Sequence, residues 1–163
     1  MKSYWQESVN KNKYPKLNKD TKTDVCIIGG GIVGIVTAYM LEKQGFGVTV
    51  VEKNEMCMGV TANTTAKLTS QHGLFYNYLI NNFSKCFAKK YLEANENAIN
   101  LAKSIIEKEN IECDFEEQDA FVYTKVESEL PKIKEEVDAL QLLDFDAEFV
   151  DKLPLPFDVL RSY

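Results

Sequence analysis

The chain has 163 residues, of which 45% are apolar and 27% are charged, as in an ordinary globular domain. This composition excludes a mostly disordered or low-complexity polymer. The 19 Lys and Arg against 25 Asp and Glu give a formal net charge of −6, which attracts neither phosphate backbones nor anionic lipid. We therefore expect no nucleic-acid partner and no membrane partner.

The cysteines and the single histidine do not form a metal-binding pattern. The cysteines are spread along the chain without a CxxC pair: Cys26, Cys57, Cys86 and Cys113. We interpret them as reduced thiols and expect no metal site. Residues 1–20 are polar and lysine-rich and contain no apolar stretch of the signal-peptide type, which predicts a cytoplasmic protein.

Residues 1–22 are predicted to form an extended arm. They are rich in Asn, Lys and Ser, and their aromatic residues Tyr4, Trp5 and Tyr14 do not recur with the period of a helix or a strand. Such isolated aromatic side chains are suited to docking on a neighbouring body. The composition then changes abruptly, and residues 23–163 are predicted to form one domain.

Residues 25–51 have the pattern of a βαβ unit. The continuous apolar run Val25–Ile28 predicts a strand buried on both faces, and it stops at three glycines. Apolar residues spaced by three or four follow from Ile32 until Gly45, as in a helix that ends at a glycine. The β-branched run Val48–Val51 predicts a second strand. Because the connection is short, we expect a right-handed parallel arrangement.

The remainder of the chain predicts a loop followed by helices and short strands. The loop is Asn54–Gly73, which is rich in Thr, Asn and Gly and has room for one helical turn. The later elements are a long amphipathic helix, two short strands, a third helix and a last short strand: Phe83 to about Asn110, Cys113–Glu116, Ala120–Thr124, about Ser128 onward, and Glu148–Val150 before a stretch with Pro154 and Pro156. Pro131 is compatible with the third helix because it falls in the first turn. Acidic pairs such as Glu116-Glu117 and Glu135-Glu136 are interpreted as solvated faces.

The glycine-rich segment Gly29–Gly34 fits the pattern GxGxxG. Gly29 permits a tight strand-to-helix turn, Gly31 lets a diphosphate approach the backbone, and Gly34 lets the helix pack close to the strands. The helix N-terminus then offers N–H groups and the positive end of its dipole to the diphosphate. At the end of the second strand, Glu52 can accept hydrogen bonds from both hydroxyls of an adenosine ribose, and its charge disfavours a 2′-phosphate. Strand, turn, helix and acid together predict dinucleotide binding.

Several segments beside the glycine pattern point to one known family. They include Ser3-Tyr4-Trp5, the run from Asp24 to Gly31, and Thr64–Gly73. With these segments the chain resembles the FAD-dependent D-amino acid oxidase-like family, which includes glycine and sarcosine oxidases. Together with Tyr91–Asn95 and Cys113–Glu116, they are similar to a bacterial subgroup that carries a C-terminal Rieske iron–sulfur domain. The resemblance covers nearly the whole chain.

The resemblance implies an α/β fold, a Rossmann-like FAD-binding βαβ fold that is truncated and carries long added helices. It implies that Ile32 and Val33 touch the diphosphate of FAD. Glu52 and Lys53 then hold the adenosine ribose. The loop after the second strand runs along the diphosphate and ribityl chain toward the flavin, with these counterparts: Val60, Thr61, Thr65, Ala66 and Lys67. Ala62-Asn63 departs from the subgroup, where Gly-His is expected.

Length is the larger departure from the family. In relatives, further strands of the flavin sheet and a substrate domain follow this region, and the Rieske module comes last. We therefore expect residues 23–163 to be a partial FAD/NAD(P)-binding domain, the N-terminal fragment of an oxidoreductase for amines or amino acids. A small amine or amino-acid substrate then binds only in the full-length protein, and the isolated chain is expected to be inactive.

Three functions are open at this point. The first is the FAD-binding portion of an amine or amino-acid oxidoreductase. The second is a non-catalytic Rossmann-like remnant that binds a nucleotide weakly or forms a homo-oligomer through exposed sheet edges. The third is an NAD-binding module, which is consistent with Glu52 but leaves the segment Thr64–Gly73 unexplained.

No catalytic residue is assigned within the chain. His72 is a candidate base, but it has no identifiable partner, and an ordinary polar contact in the cofactor loop is favoured. The Cys57 thiol belongs to the adenosine end of the loop, which is too far from the flavin ring for covalent attachment in this family. Lys67 has two interpretations that stay equally open: a cation near the cofactor, or a solvated side chain.

Overall fold

The computed structural model of the chain describes residues 3–8, 12–150 and 161–162. These residues fall into two structural units, Met1–Lys67 and Leu68–Tyr163. The structural division therefore comes after Lys67, whereas the sequence pattern places a boundary after residue 22. The arm and the βαβ segment share a unit because the start of the chain is hydrogen-bonded to the loop after the second strand.

The first unit holds a one-turn helix, two strands on either side of a longer helix, and a 3-10 turn: α1 Tyr4–Glu7, β1 Val25–Ile28, α2 Ile32–Lys43, β2 Val48–Val51 and the 3-10 turn Val60–Asn63. The two strands pair in parallel, with Val25 opposite Val48 and Ile28 opposite Val51. This arrangement confirms the predicted parallel βαβ unit, and the 3-10 turn lies within the predicted loop.

The limits of α2 follow from its glycines. Gly31 is the N-cap residue and has extended backbone, with φ −82° and ψ −177°. At the other end, Gly45 has φ +89°, a left-handed conformation that glycine adopts without the strain of a Cβ. The predicted stop at Gly45 is therefore confirmed.

The burial of β1 differs from the prediction of a strand buried on both faces. Val25 and Ile27 are half-buried, whereas Cys26 and Ile28 are exposed. Successive side chains of a strand point to opposite faces, so the exposed pair shares one face of the sheet. The helix α2 packs on the other face, where a Cβ on Gly34 would lie 3.4 Å from Ile27 Cγ2.

The predicted extended arm contains one helical turn, α1, and residues 12–18 carry no regular element. Ser3 precedes the turn in extended backbone, and the Ser8 N–H donates to the Tyr4 carbonyl oxygen across 2.9 Å. The prediction that isolated aromatics dock on a neighbouring body holds for Trp5, whose Nε1–H donates to the Thr64 carbonyl oxygen across 2.7 Å.

The described part of the second unit holds three helices, a 3-10 turn and two short paired strands: α3 Tyr76–Asn82, α4 Lys85–Lys108, β3 Tyr123–Thr124, the 3-10 turn Glu127–Glu129, α5 Leu130–Leu142 and β4 Arg161–Ser162. The strands β3 and β4 pair antiparallel. Pro131 lies in the first turn of α5, as predicted. Among the described residues, no helix combines the length and the apolarity needed to cross a bilayer.

The predicted continuous helix from Phe83 is wrong at its start. Ser84 has extended backbone, with φ −177° and ψ 162°, and its Oγ accepts the Phe87 N–H across 3.1 Å. A serine in this position satisfies one of the N–H groups that a helix start leaves without a partner. The helix α4 therefore begins at Lys85, and the preceding residues belong to a separate helix.

The predicted short strands are only partly present. The segment Cys113–Glu116 is not a strand, because Asp114 has φ +49°, which interrupts an extended run. Within Ala120–Thr124 only the last two residues pair. Val150 forms a single bridge, whereas the predicted Pro154/Pro156 stretch lies outside the described residues.

The buried apolar residues that the structure describes in the second unit form a hydrophobic core between its helices. Its buried members come from α3, α4, α5 and the residue after α5: Tyr76, Leu79, Ala88, Leu92, Ile133, Val137, Ala139, Leu140 and Leu143. The apolar residues of α4 and α5 recur every three or four positions, so one face of each helix enters this core.

The interpretation of the pair Glu135-Glu136 as a solvated face is wrong for Glu136. Glu135 is exposed, but Glu136 is 0% exposed. Its Oε1 accepts the N–H groups of Phe75 and Tyr76 across 2.8 and 2.7 Å, and its Oε2 accepts the Asn77 N–H across 2.9 Å. The buried carboxylate therefore caps α3, whose N-cap residue makes no side-chain hydrogen bond of its own.

Candidate dinucleotide-binding site

The site is built around the turn between β1 and α2. Gly29 has φ +108°, and its N–H donates to the Val51 carbonyl oxygen across 2.8 Å. Gly31 is the N-cap of α2, and a Cβ on Gly34 would overlap the Gly29 carbonyl oxygen. The turn therefore needs glycine at the first position for its conformation and at the last for close packing of helix on strand.

Gly30 is closely packed as well, although its position in GxGxxG is free. It is buried, and a Cβ there would overlap the Met56 sulfur and lie 3.3 Å from Glu52 Cβ. Its carbonyl oxygen accepts the Cys57 N–H across 2.8 Å. The loop after β2 therefore folds back over the turn, a contact that no local sequence signal predicts.

Glu52 lies directly after β2 and holds the turn with its carboxylate. Its Oε2 accepts the Gly30 N–H across 2.9 Å, and its Oε1 accepts the Asn54 N–H across 3.0 Å. The Gly30 N–H and then the Asn54 N–H lower the pKa of Glu52 below its ordinary value, because both bonds favour the charged form. Each oxygen has a second lone-pair direction, so the carboxylate can accept further hydroxyl donors.

Thr61 brings a hydroxyl to the start of α2. Its Oγ1 accepts the Ile32 N–H across 3.0 Å, and a Cβ on Gly31 would lie 3.4 Å from the same oxygen. The side chain of Val33, in the same first turn, is 78% exposed. The backbone N–H groups of a first helical turn have no partner within the helix, so this end of α2 is suited to an anion.

The structure brings only part of the predicted site together. The turn, Glu52 and Thr61 are in contact, whereas the Val60 side chain is 87% exposed and that of Lys53 is exposed. Thr65, Ala66 and Lys67 follow the 3-10 turn as an exposed segment. Among the described residues, no hydrogen bond joins this segment to the glycine turn.

His72 has the polar partner that its sequence context did not reveal. The His72 Nδ1 lies 3.2 Å from the Tyr91 hydroxyl, and the two rings meet edge to face with centroids 6.0 Å apart. Both residues belong to the second unit. The contact is with α4, so the interpretation of His72 as an ordinary polar contact in the cofactor loop stays a prediction.

A parallel βαβ unit with a glycine turn at its helix start and a carboxylate after its second strand defines a Rossmann-like dinucleotide-binding fold. Residues 24–155 match the FAD dependent oxidoreductase family, DAO. The chain belongs to this family, and membership implies FAD as the cofactor.

Curated proteins are similar to this chain over parts of their length. The chain is 44% identical over 94% of its length to the Bacillus subtilis protein YhfW, which carries the name of a Rieske 2Fe-2S iron–sulfur protein. It is 25% identical over 74% of its length to gamma-glutamylputrescine oxidoreductase of Escherichia coli. A segment of 31 residues, 19% of this chain and 8% of the relative, is 61% identical to D-amino acid dehydrogenase 2 of Pseudomonas aeruginosa. The chain spans 30% of the first relative and 28% of the second.

The residues present fit the adenosine diphosphate half of FAD. Apart from the chain neighbours of Gly31, a Cβ there would meet the Thr61 hydroxyl oxygen at 3.4 Å and no other described atom within 4 Å, which leaves room for a phosphate at the helix start. The Glu52 carboxylate touches the same turn and has unused acceptor capacity. N–H donors suited to a phosphate and a carboxylate suited to hydroxyl donors therefore both lie at one short turn.

Proposed function

We propose that this chain is the FAD-binding portion of an oxidoreductase that acts on amines or amino acids. The observation that carries the proposal is the contact of Glu52 with the glycine turn that caps α2. The relatives named for γ-glutamylputrescine and D-amino acids support the class of substrate. When bound, FAD would accept a hydride from the carbon that bears the amine, and water would then hydrolyse the resulting imine.

The diphosphate of FAD is assigned to the start of α2. The backbone N–H groups of Ile32 and Val33 donate to it, and the positive end of the helix dipole adds about 0.3–2 kcal/mol. Gly29, Gly31 and Gly34 shape the turn that makes this approach possible. The Thr61 hydroxyl oxygen accepts the Ile32 N–H, and the hydroxyl proton is available to a phosphate oxygen.

The adenosine ribose is assigned to Glu52, with the following Lys53 beside it. Hydrogen bonds to a charged acceptor contribute about 1.5–3 kcal/mol each. The negative charge repels a 2′-phosphate, so the site disfavours NADP and accepts a dinucleotide with free ribose hydroxyls, as FAD has. The loop residues assigned to the diphosphate and ribityl chain are Val60, Thr61, Thr65, Ala66 and Lys67. No residue of this chain is assigned a proton-transfer step.

Titration with FAD and with its parts tests the proposal. We expect the chain to bind FAD and ADP at one site, whereas FMN, which lacks the adenosine, does not displace ADP. Glu52→Ala should weaken ADP binding about ten- to a hundred-fold, from the charged hydrogen bonds lost. Glu42→Ala is the matched control, because Glu42 is exposed on α2 near its far end. A chain that binds neither FAD nor ADP contradicts the proposal.

The alternative is a non-catalytic remnant that self-associates or binds a nucleotide weakly. It is favoured by one observation, the exposed face of β1, where the Ile28 side chain is 89% exposed. A cytoplasmic location, and the lack of nucleic-acid and membrane partners, stay predictions from composition alone.

A further inference from the structure

The helical turn α1 is hydrogen-bonded to the end of the loop that covers the glycine turn. The Trp5 Nε1–H donates to the Thr64 carbonyl oxygen across 2.7 Å. The Ser3 hydroxyl donates to the Ala62 carbonyl oxygen. The side chains of Trp5 in α1 and of its N-cap residue Ser3 thus hold two carbonyl groups, and Ala62 is only 6% exposed.

The same loop carries the group that touches α2. Thr61, which directly precedes Ala62, accepts the Ile32 N–H through its hydroxyl. At the beginning of the loop, the Cys57 N–H donates to the Gly30 carbonyl oxygen. The loop from residue 57 to residue 64 is therefore fixed at its beginning by the glycine turn, in its middle by α2, and at its end by α1.

The regular structure within this loop is one 3-10 turn of four residues, Val60–Asn63. A 3-10 turn of this length is marginal in isolation, because few hydrogen bonds are gained for the dihedral angles that become fixed. Bonds from outside the turn therefore decide whether it is ordered. A loop that is ordered before a ligand arrives does not lose that freedom on binding, which raises affinity.

We infer that α1 is a positioning element for the cofactor site: Ser3 and Trp5 hold the loop so that Thr61 faces the diphosphate end of α2. This inference rests on the proposed function. Ser3 and Trp5 act through the loop and are positioning residues. No assignment from the glycine pattern or from the acid after β2 includes them.

Three variants of the full chain test the inference. Trp5→Phe removes the indole N–H but keeps an aromatic ring, and Ser3→Ala removes the hydroxyl. Tyr4→Phe is the control, since Tyr4 is 67% exposed and packs edge to face on Trp5. Amide hydrogen exchange of residues 59–66 without ligand, and the Kd for FAD, are measured for each.

We expect faster exchange in residues 59–66 for Trp5→Phe and Ser3→Ala, with exchange in β1 and β2 unchanged. The loss of one neutral hydrogen bond corresponds to about a 2- to 12-fold weaker Kd for FAD, and the double variant should lose more than either single one. Tyr4→Phe should leave both readouts within about twofold of wild type.

The outcomes separate this inference from the proposed function. If wild type binds FAD and the double variant has the same Kd and the same loop exchange, α1 has no positioning role and the inference is overturned alone. If wild type binds neither FAD nor ADP, the proposed function is overturned and the cofactor role of α1 falls with it. Faster exchange with weaker FAD binding supports the inference.

Discussion

Glu52 serves two purposes at one place in the chain. Its carboxylate fixes the Gly30 and Asn54 N–H groups, and it is also the acceptor that we assign to the ribose. The first purpose makes the turn rigid before any ligand arrives. A substitution there therefore changes both the stability of the turn and the affinity for adenosine, and unfolding in the absence of a nucleotide measures the first effect by itself.

The lowered pKa of Glu52 predicts how its contribution to stability depends on pH. A group whose pKa is lower in the folded state stabilises the fold above its unfolded value, here 4.5, and loses this contribution as pH falls through the folded-state pKa. The stability difference between wild type and Glu52→Gln should therefore be constant near neutral pH and shrink below pH 4.5.

Urea unfolding followed by the fluorescence of Trp5 measures this difference, because Trp5 is the single tryptophan and lies in the first unit. Glu42→Gln controls for the loss of one exposed carboxylate from α2. A difference that stays constant down to pH 3, or that grows in acid, contradicts the assigned hydrogen bonds.

At the scale of elements, the start of α3 depends on a carboxylate from α5. Phe75, Tyr76 and Asn77 all donate backbone N–H groups to Glu136. The bond that caps α4 is local, since Ser84 lies directly before that helix, whereas Glu136 is distant in sequence from the helix that it caps. The packing of α3 on α5 and the capping of α3 are thus one interaction.

We predict that Glu136→Ala lowers the free energy of unfolding of the second unit by more than about 3 kcal/mol. The reason is that N–H groups, one of them fully buried, lose their acceptor, at about 1–3 kcal/mol each. Glu136→Gln keeps one acceptor oxygen and should cost less. Urea denaturation followed by far-UV circular dichroism measures the change.

The neighbouring Glu135 provides the matched control. It is exposed, and its Oε2 accepts one hydrogen bond from Asn77 Nδ2 across 3.1 Å. Glu135→Ala should change the stability by less than about 0.5 kcal/mol, as most surface substitutions do. If Glu136→Ala is as mild as Glu135→Ala, the buried carboxylate does not hold α3.

The elements that the sequence predicts correctly are those with local causes. Apolar runs predict β1 and β2, because β-branched and apolar residues favour strands. The glycines predict the limits of α2, because Gly45 ends the helix in a left-handed conformation. The break at Ser84 has a local signal too, a capping serine, but the apolar period running through it conceals the break. The burial of Glu136 depends on a partner far along the chain, so no local pattern contains it.

At the scale of the whole molecule, the same distinction applies to the candidate site. The glycine pattern and Glu52 were predictable because each has a fixed place relative to the strand ends. The covering contact of Met56, the hydroxyl contact of Thr61 and the Trp5 bond join residues that are distant in sequence. They follow from how the loop folds back, which propensity and periodicity do not encode.

The exposed face of β1 makes a prediction about the 163-residue chain in solution. The run Val25–Ile28 is apolar throughout, yet α2 covers only one of its faces, and Ile28 is 89% exposed. Burying one such side chain contributes about 1.5–3 kcal/mol, so a second copy is a favourable cover for this face. We expect size-exclusion chromatography with light scattering to give a dimer or larger species at high concentration.

Ile28→Lys should weaken association about ten- to a hundred-fold, whereas Leu17→Lys, at an exposed apolar residue outside the sheet, should not. A wild-type monomer at every concentration, or equal association of both variants, would exclude this face as the contact.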